Sequence, residues 1–361
     1  MLIVGVVAAW WVAEWRSLNR LEATLERVRA AGVETSYADY LDARDTPPAD
    51  VDAAVELSAA AELMFGMNDI VTVVRDDDAD PADIERLLAD NEAAIDAVAA
   101  ADPKLRPAVE RVRARFESVD GTPGEDPMLG MLVPYIGEQQ RLGHLMALAV
   151  RDAADRGEWN EALLRARRGM GIADAVDAAA GMNLGHAVAT AIDIQIAAAV
   201  EAMAASASPG DLDADLARQL ADQLRDDQPR IDGWRRAIAG ELTMHLDAAD
   251  FVARGVDPDS GDESFALWLT SPLGRGNATT SADLFLPLLD LAATADSYEQ
   301  ARPALDAYEA QVLALQADFS RRSVWTSILA PMIGTLGERH YDARDARHAA
   351  ADELEAAVAG P

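Results

Sequence analysis

A chain of 361 residues can form one large domain or two ordinary ones, and its 50% hydrophobic content argues against wholesale disorder. Asp and Glu outnumber Lys and Arg 63 to 31, a formal charge of −32, which excludes an extended nucleic-acid surface because phosphates demand clustered cations. There is no cysteine, so disulfides, Cys-ligated zinc, iron–sulfur clusters and thiol nucleophiles are all ruled out.

Aromatic residues make up only 5% of the chain, while alanine is abundant throughout. Alanine has the best intrinsic helix propensity and lets helix axes approach closely, whereas the β-branched runs that strands use are scarce. The expected fold is all-α: an elongated array of antiparallel helical hairpins with a long N-terminal helix. Four segments are expected, namely an apolar-to-amphipathic helix over 1–32, the hairpin array over 33–254, an irregular loop region over 255–281 and C-terminal helices over 282–361.

Residues Met1 to Ala13 form an uninterrupted apolar run closed by Glu14 and Arg16. A spanning helix needs about 20 apolar residues, so this run is too short by itself. It also lacks the basic flank and small-residue cleavage site of a signal peptide. The favoured expectation is the second half of a membrane anchor, contacting lipid through Leu2, Ile3, Val4, Val6, Val7, Trp10, Trp11 and Trp15. An interfacial segment with its tryptophans at headgroup level and an ordinary buried helix are the alternatives. Arg16, Arg20, Arg27 and Arg29 would place the body inside by the positive-inside rule, and the side stays open.

The first helix continues through Leu18, Leu21, Leu25 and Val28 to a stop at Gly32. Ser36 to Asp39 has capping-box form, Pro47-Pro48 breaks the chain, and Asp50 caps a helix running toward Phe65. Asp80-Pro81, Asp102-Pro103, Asp126-Pro127 and Ser208-Pro209 each set a capping residue before a proline at a helix start. Gly157, Gly181 and Gly255 mark helix ends. Around Gly157, the order Gly, then Trp159, then Ala162-Leu163 resembles one tetratricopeptide-type hairpin, without a full repeat period. Gly255 to Ser281 is the clearest interruption. Helical pattern then resumes at Ala282, runs to Phe319, and returns from about Pro331 to Ala359.

Chemistry is sparse. The five histidines are His144, His186, His245, His340 and His348, and none lies in an H-E-x-x-H or Glu-x-x-His pattern. Glu241 and His245 share a helix face four residues apart, and His144 and His186 can face one another across adjacent helices; both pairs are weak metal candidates, outweighed by hydrogen-bonded or solvated histidines. No nucleophile elbow or phosphate loop is written here, and Gly169 and Gly171 lie inside a helix where they let two helices touch. Asp76 to Asp78 lacks the spaced ligands of an EF-hand. Gln139, Gln140, Arg141 and Asn183 read as polar residues bonded within the helical interior. No catalytic residue and no cofactor follows from the sequence.

The run from Trp15 through Leu18, Leu21 and Arg29 to Gly32, the proline pair, Asp90 to Glu92, the Gly157 turn and Ser208 to Leu212 together resemble a group of membrane-anchored α-helical, tetratricopeptide-like proteins of planctomycete-type bacteria, themselves uncharacterised. The resemblance implies a single-pass N-terminal anchor and an extracytoplasmic helical body, and it supplies no site residues. The expected function is a non-enzymatic protein-interaction or scaffold module tethered at a bacterial membrane, with a protein or peptide partner and no nucleic acid. An enzyme or metal-binding protein with its site near His144 and His186 is the first alternative, and a structural spacer the second.

Overall fold

The computed structural model describes residues 2–36, 39, 57, 59–74, 79–101, 127–180, 183–208, 210–254, 271–317 and 332–359; for 2–9, 67–68, 127–135, 178–180, 248, 251–252, 273, 316 and 332–334 it describes the backbone only. Twelve helices and no strand occur among the described residues. They are α1 (Leu2–Ala30), α2 (Met67–Val74), α3 (Pro81–Asp90), α4 (Glu92–Ala101), α5 (Pro127–Asp155), α6 (Trp159–Ala180), α7 (Asn183–Ser206), α8 (Ala214–Arg225), α9 (Gln228–Arg254), α10 (Ser271–Thr294), α11 (Tyr298–Ala317) and α12 (Met332–Ala359). The chain divides into two compact units, with divisions falling inside α5 after Gly130, inside α9 after Trp234 and inside α12 after Gly337.

Local chemistry explains several helix ends. Asp80 caps α3 by accepting the Ala82 N–H, with Pro81 at the first helical position. Gly32 and Gly157 stop α1 and α5 with φ values of 75° and 72°, a left-handed conformation that costs glycine nothing. Asp39 donates its N–H to Ser36 Oγ, as the capping-box pattern requires.

Two expectations are corrected. Helix α8 starts at Ala214, capped by Asp213, whose side chain accepts from the N–H groups of Asp215 and Leu216. Ser208 and Asp211 form a local turn instead, in which Ser208 N–H donates to Asp211 Oδ2. Residues 271–281 are helical, because Ser271-Pro272 opens α10 within the stretch expected to be irregular. Pro47-Pro48, Asp50, Asp76 to Asp78, Asp102-Pro103, Asp126 and the remainder of the interruption lie outside the described residues.

The unit containing α5 to α8 packs on small residues. A methyl group added at Gly143 of α5 would lie 2.6 Å from Ile192 Cγ1, and one at Gly169 of α6 would lie 2.4 Å from Ile196 Cδ1, both isoleucines being on α7. Interiors packed to crystal density leave no room for such additions. Leu145, Met146, Leu148, Ala166, Met170, Ile172 and Val200 fill the surrounding core. In the same unit Asn91, fully buried, donates to the carbonyls of Phe65 and Leu87 and accepts the Phe65 N–H, fixing the α3–α4 joint. Helix α7 alone among the described residues is long and apolar enough to cross a membrane, yet 61% of its apolar window is buried inside the protein. It is a core helix of this unit.

The other unit pairs α1 with α10. Glu14 binds Arg275 at 2.5 Å and accepts from Ser271 Oγ, Thr24 donates to Thr279 Oγ1, and Arg27 pairs with Asp283. Val28, Leu242, Leu246, Phe285, Leu288, Tyr308 and Val312 form its core. Leu305 packs on Gly337, where a methyl group would lie 2.7 Å from Leu305 Cδ1.

A buried charge and histidine cluster as candidate functional site

Every ordinary apolar helix tries to exclude charge, so a lone acid on one is informative. Helix α7 carries Asp193 in an otherwise uncharged stretch from Asn183 to Val200, and Asp193 is fully buried. Its partner is Arg230 at the start of α9, itself 4% exposed. Arg230 donates to Asp193 in a two-pronged arrangement, Nε to Oδ2 at 2.5 Å and Nη2 to Oδ1 at 2.9 Å. Its Nη1 lies 2.7 Å from Asp174 and 3.7 Å from Asp177, both on α6. Burial opposes the Arg230 charge, but Asp193, Asp174 and Asp177 more than offset it and hold the guanidinium ionised.

Asp177 passes the cluster on to the histidines. Its Oδ1 lies 2.9 Å from His186 Nδ1, and His186 Nε2 lies 3.1 Å from His340 Nδ1 on α12. A carboxylate accepts only, so His186 donates from Nδ1 to Asp177, while its Nε2 shares one hydrogen bond with His340 Nδ1 whose direction follows the tautomer. Burial, reinforced by the neighbouring His186, holds His340 well below the usual imidazole range, so that ring is neutral. Trp234 stacks on His340 with centroids 4.6 Å apart, and Tyr341 meets Trp234 edge-on at 5.9 Å. The backbone makes room for the acid at Gly233, where a methyl group would lie 1.8 Å from Asp177 Oδ2.

The arrangement has the order of a proton relay, carboxylate to histidine to histidine. Its far end is closed, however: His340 is 4% exposed and lies under Trp234. The cavities lined by Ala13 to Thr280, by Ala217 to Ala359 and by Leu21 to Ala278 include none of these residues in their walls. No group of three or more potential metal ligands occurs among the described residues. The cluster ties α6, α7, α9 and α12 together, and a buried polar network of this kind penalises packings that separate its members.

Of the four histidine and acid candidates read from the sequence, His186 lies in this cluster, and His144, Glu241 and His245 are not among its contacts. Both ring nitrogens of His186 are taken by Asp177 and His340, so the proposed His144–His186 pairing is not made; His144 is buried in α5. Glu241 and His245 are both buried on α9 in the other unit. His245 Nδ1 lies 3.0 Å from Ser281 Oγ, its ring meets Phe285 edge-on, and burial pushes it down to about 4. Tyr308 is pushed upward by burial and then by the nearby Glu241 charge. Gln139 is fully buried, with neither amide atom hydrogen-bonded. Trp11 and Trp15 are 65% and 62% exposed, and Trp10 meets Trp11 edge-on; Leu2, Ile3, Val4, Val6 and Val7 lie on α1, their side chains outside the described residues.

No protein-family model, curated protein or solved structure matches this chain.

Two outcomes are expected. Gly233→Ala forces Asp177 off His186 and lowers stability by about 3 kcal/mol, although alanine favours a helix. In an Asp177→Ala background the same change costs far less, and equal costs in the two backgrounds, measured by urea denaturation, would refute the contact. The His245 pKa is about 4 in the folded protein, below the ordinary 6.5, so the unfolded chain takes up the proton first. Stability therefore falls as pH drops from 6.5 towards 4, by on the order of 3 kcal/mol from this group, and His245→Gln flattens that slope.

Proposed function

We propose that the protein is a non-enzymatic helical interaction module that associates with a membrane through α1. The observation that carries this is the surface of α1. Trp11, Val12, Trp15 and Leu18 are 65%, 49%, 62% and 44% exposed, beside Arg16 and Arg20. Indole rings beside aliphatic groups and arginines suit the boundary between headgroups and acyl chains, where an amphipathic surface is wetted on one side only. Helix α1 lies along α10 in its own unit, which supports an interfacial docking element over a free-standing span.

The body is proposed to be a stack of helical hairpins. Arg165 donates to the Ala149 carbonyl, Gly169 meets Met146 and Ile196, and Asp177 meets His186, so residue numbers rise along one helix as they fall along its neighbour. That order supports a pairing of consecutive antiparallel helices, in keeping with the resemblance at Gly157. Its faces would serve a protein or peptide partner. The enzymatic alternative near His186 loses ground because the ring nitrogens there are engaged with Asp177 and His340.

The test is vesicle flotation of the full chain. Wild type floats with phosphatidylcholine vesicles, and Trp11→Ala/Trp15→Ala lowers the bound fraction about tenfold or more with unchanged helical circular dichroism. Equal flotation of the two proteins, or none by either, would overturn the reading.

A further inference from the structure

We propose that the groove between α1 and α10 is a phosphate-binding site that seats the headgroup of an anionic phospholipid. The proposal rests on the membrane-docking reading and adds the ligand to it.

The groove has a volume of about 500 Å³, within the range of small-molecule sites. Its walls come from Ala13, Ser17, Arg16 and Arg20 on α1 and from the first turns of α10, including Arg275 and Asn277. Among the described residues, three arginines and no acid line it, in a chain where acids outnumber bases two to one. The charge of the molecule is therefore inverted at this spot. A protein of net charge −32 is repelled by an anionic bilayer, so it can approach one only where a local cation cluster faces the lipid.

The donors are unequal. Arg16 and Arg20 sit one turn apart on one face of α1 and have no carboxylate partner among the described residues. Arg275 is held in place by Glu14 at 2.5 Å and by Ser17 Oγ at 3.4 Å, with 12% of its side chain exposed. It forms a fixed wall, while Arg16 and Arg20 supply the unneutralised charge. The Thr279 and Thr280 hydroxyls donate to the carbonyls of Arg275 and Gly276, so they offer an anion no proton. The Asn277 amide is the remaining side-chain donor in the wall, and it distinguishes a shaped site from mere attraction.

The spacing along α1 agrees. Trp11 precedes Arg16, and Trp15 precedes Arg20, by five residues, which is about 7 Å of helix. For a helix lying in the interface, the indoles and the guanidinium groups reach the same headgroup region from neighbouring positions.

The experiment uses the full chain and vesicles of phosphatidylcholine alone or with three parts in ten phosphatidylglycerol, at near-physiological salt. Wild type is expected to bind the anionic vesicles roughly 30-fold more tightly than the neutral ones. R16Q/R20Q loses that preference and keeps its binding to neutral vesicles. N277A, with charge unchanged, loses several-fold of the preference, and inorganic phosphate competes with the anionic vesicles. Binding to both vesicle types without preference would overturn the site and leave docking intact; no binding to either would remove the docking reading beneath it. A preference that N277A and phosphate leave untouched would reduce the groove to diffuse attraction and overturn it. Phosphate stabilising wild type but not R16Q/R20Q, without any vesicle preference, would overturn the lipid as the occupant.

Discussion

The core of the α5–α8 unit depends on one buried cation. Arg230 lies among Asp193, Asp174 and Asp177, and without it the fully buried Asp193 would lose its two-pronged partner in a low-dielectric interior. The surrounding features follow from that requirement. Asp193 can occupy an apolar helix only because Arg230 reaches it. Asp177 can serve both Arg230 and His186 only because Gly233 has no side chain there. His340 stays neutral because burial under Trp234 disfavours its charged form. Such a network contributes little net stability compared with an apolar core of the same volume, but it penalises every packing that separates its members.

The two units use small residues and charge differently. Around α7, glycines at 143 and 169 let Ile192 and Ile196 press directly on neighbouring helix backbones. Along α1 and α10 the join is polar and peripheral, built from Glu14, Arg275, Ser271, Thr24 and Thr279. That polar join leaves Trp11 and Trp15 of α1 exposed, while Arg16 and Arg20 line the groove at its margin with α10. The packing of one unit thus accounts for a sealed histidine cluster, and the packing of the other for an exposed amphipathic edge.

Much of the fold was legible along the chain because its causes are local. Alanine content, Asp80-Pro81 and the glycines at 32 and 157 act within a few residues of themselves. Ser208-Pro209 misled because a better cap, Asp213, lies five residues on, and proline marks a turn as readily as a helix start. The stretch over 271–281 looked irregular because its Gly, Asn, Thr and Ser residues are poor helix formers, and packing against α1 overrides that propensity. The histidine cluster was hidden by distance: His186 and His340 are 154 residues apart, and nothing in their flanks announces the pairing. Asp193 was the available clue, an isolated acid on an apolar helix that demands a buried cation somewhere.

Interfacial docking is tested most directly by where α1 goes when a membrane is present. The chain has no cysteine, so Val12→Cys and, as a reference, Leu313→Cys each accept a single spin label at a site exposed in the protein, 49% and 65% respectively. On adding anionic vesicles, the Val12 label should gain contact with oxygen and lose contact with a water-soluble nickel chelate, while the Leu313 label changes in neither. A Val12 label that stays equally open to the nickel chelate would show that α1 does not enter the interface and would contradict the account.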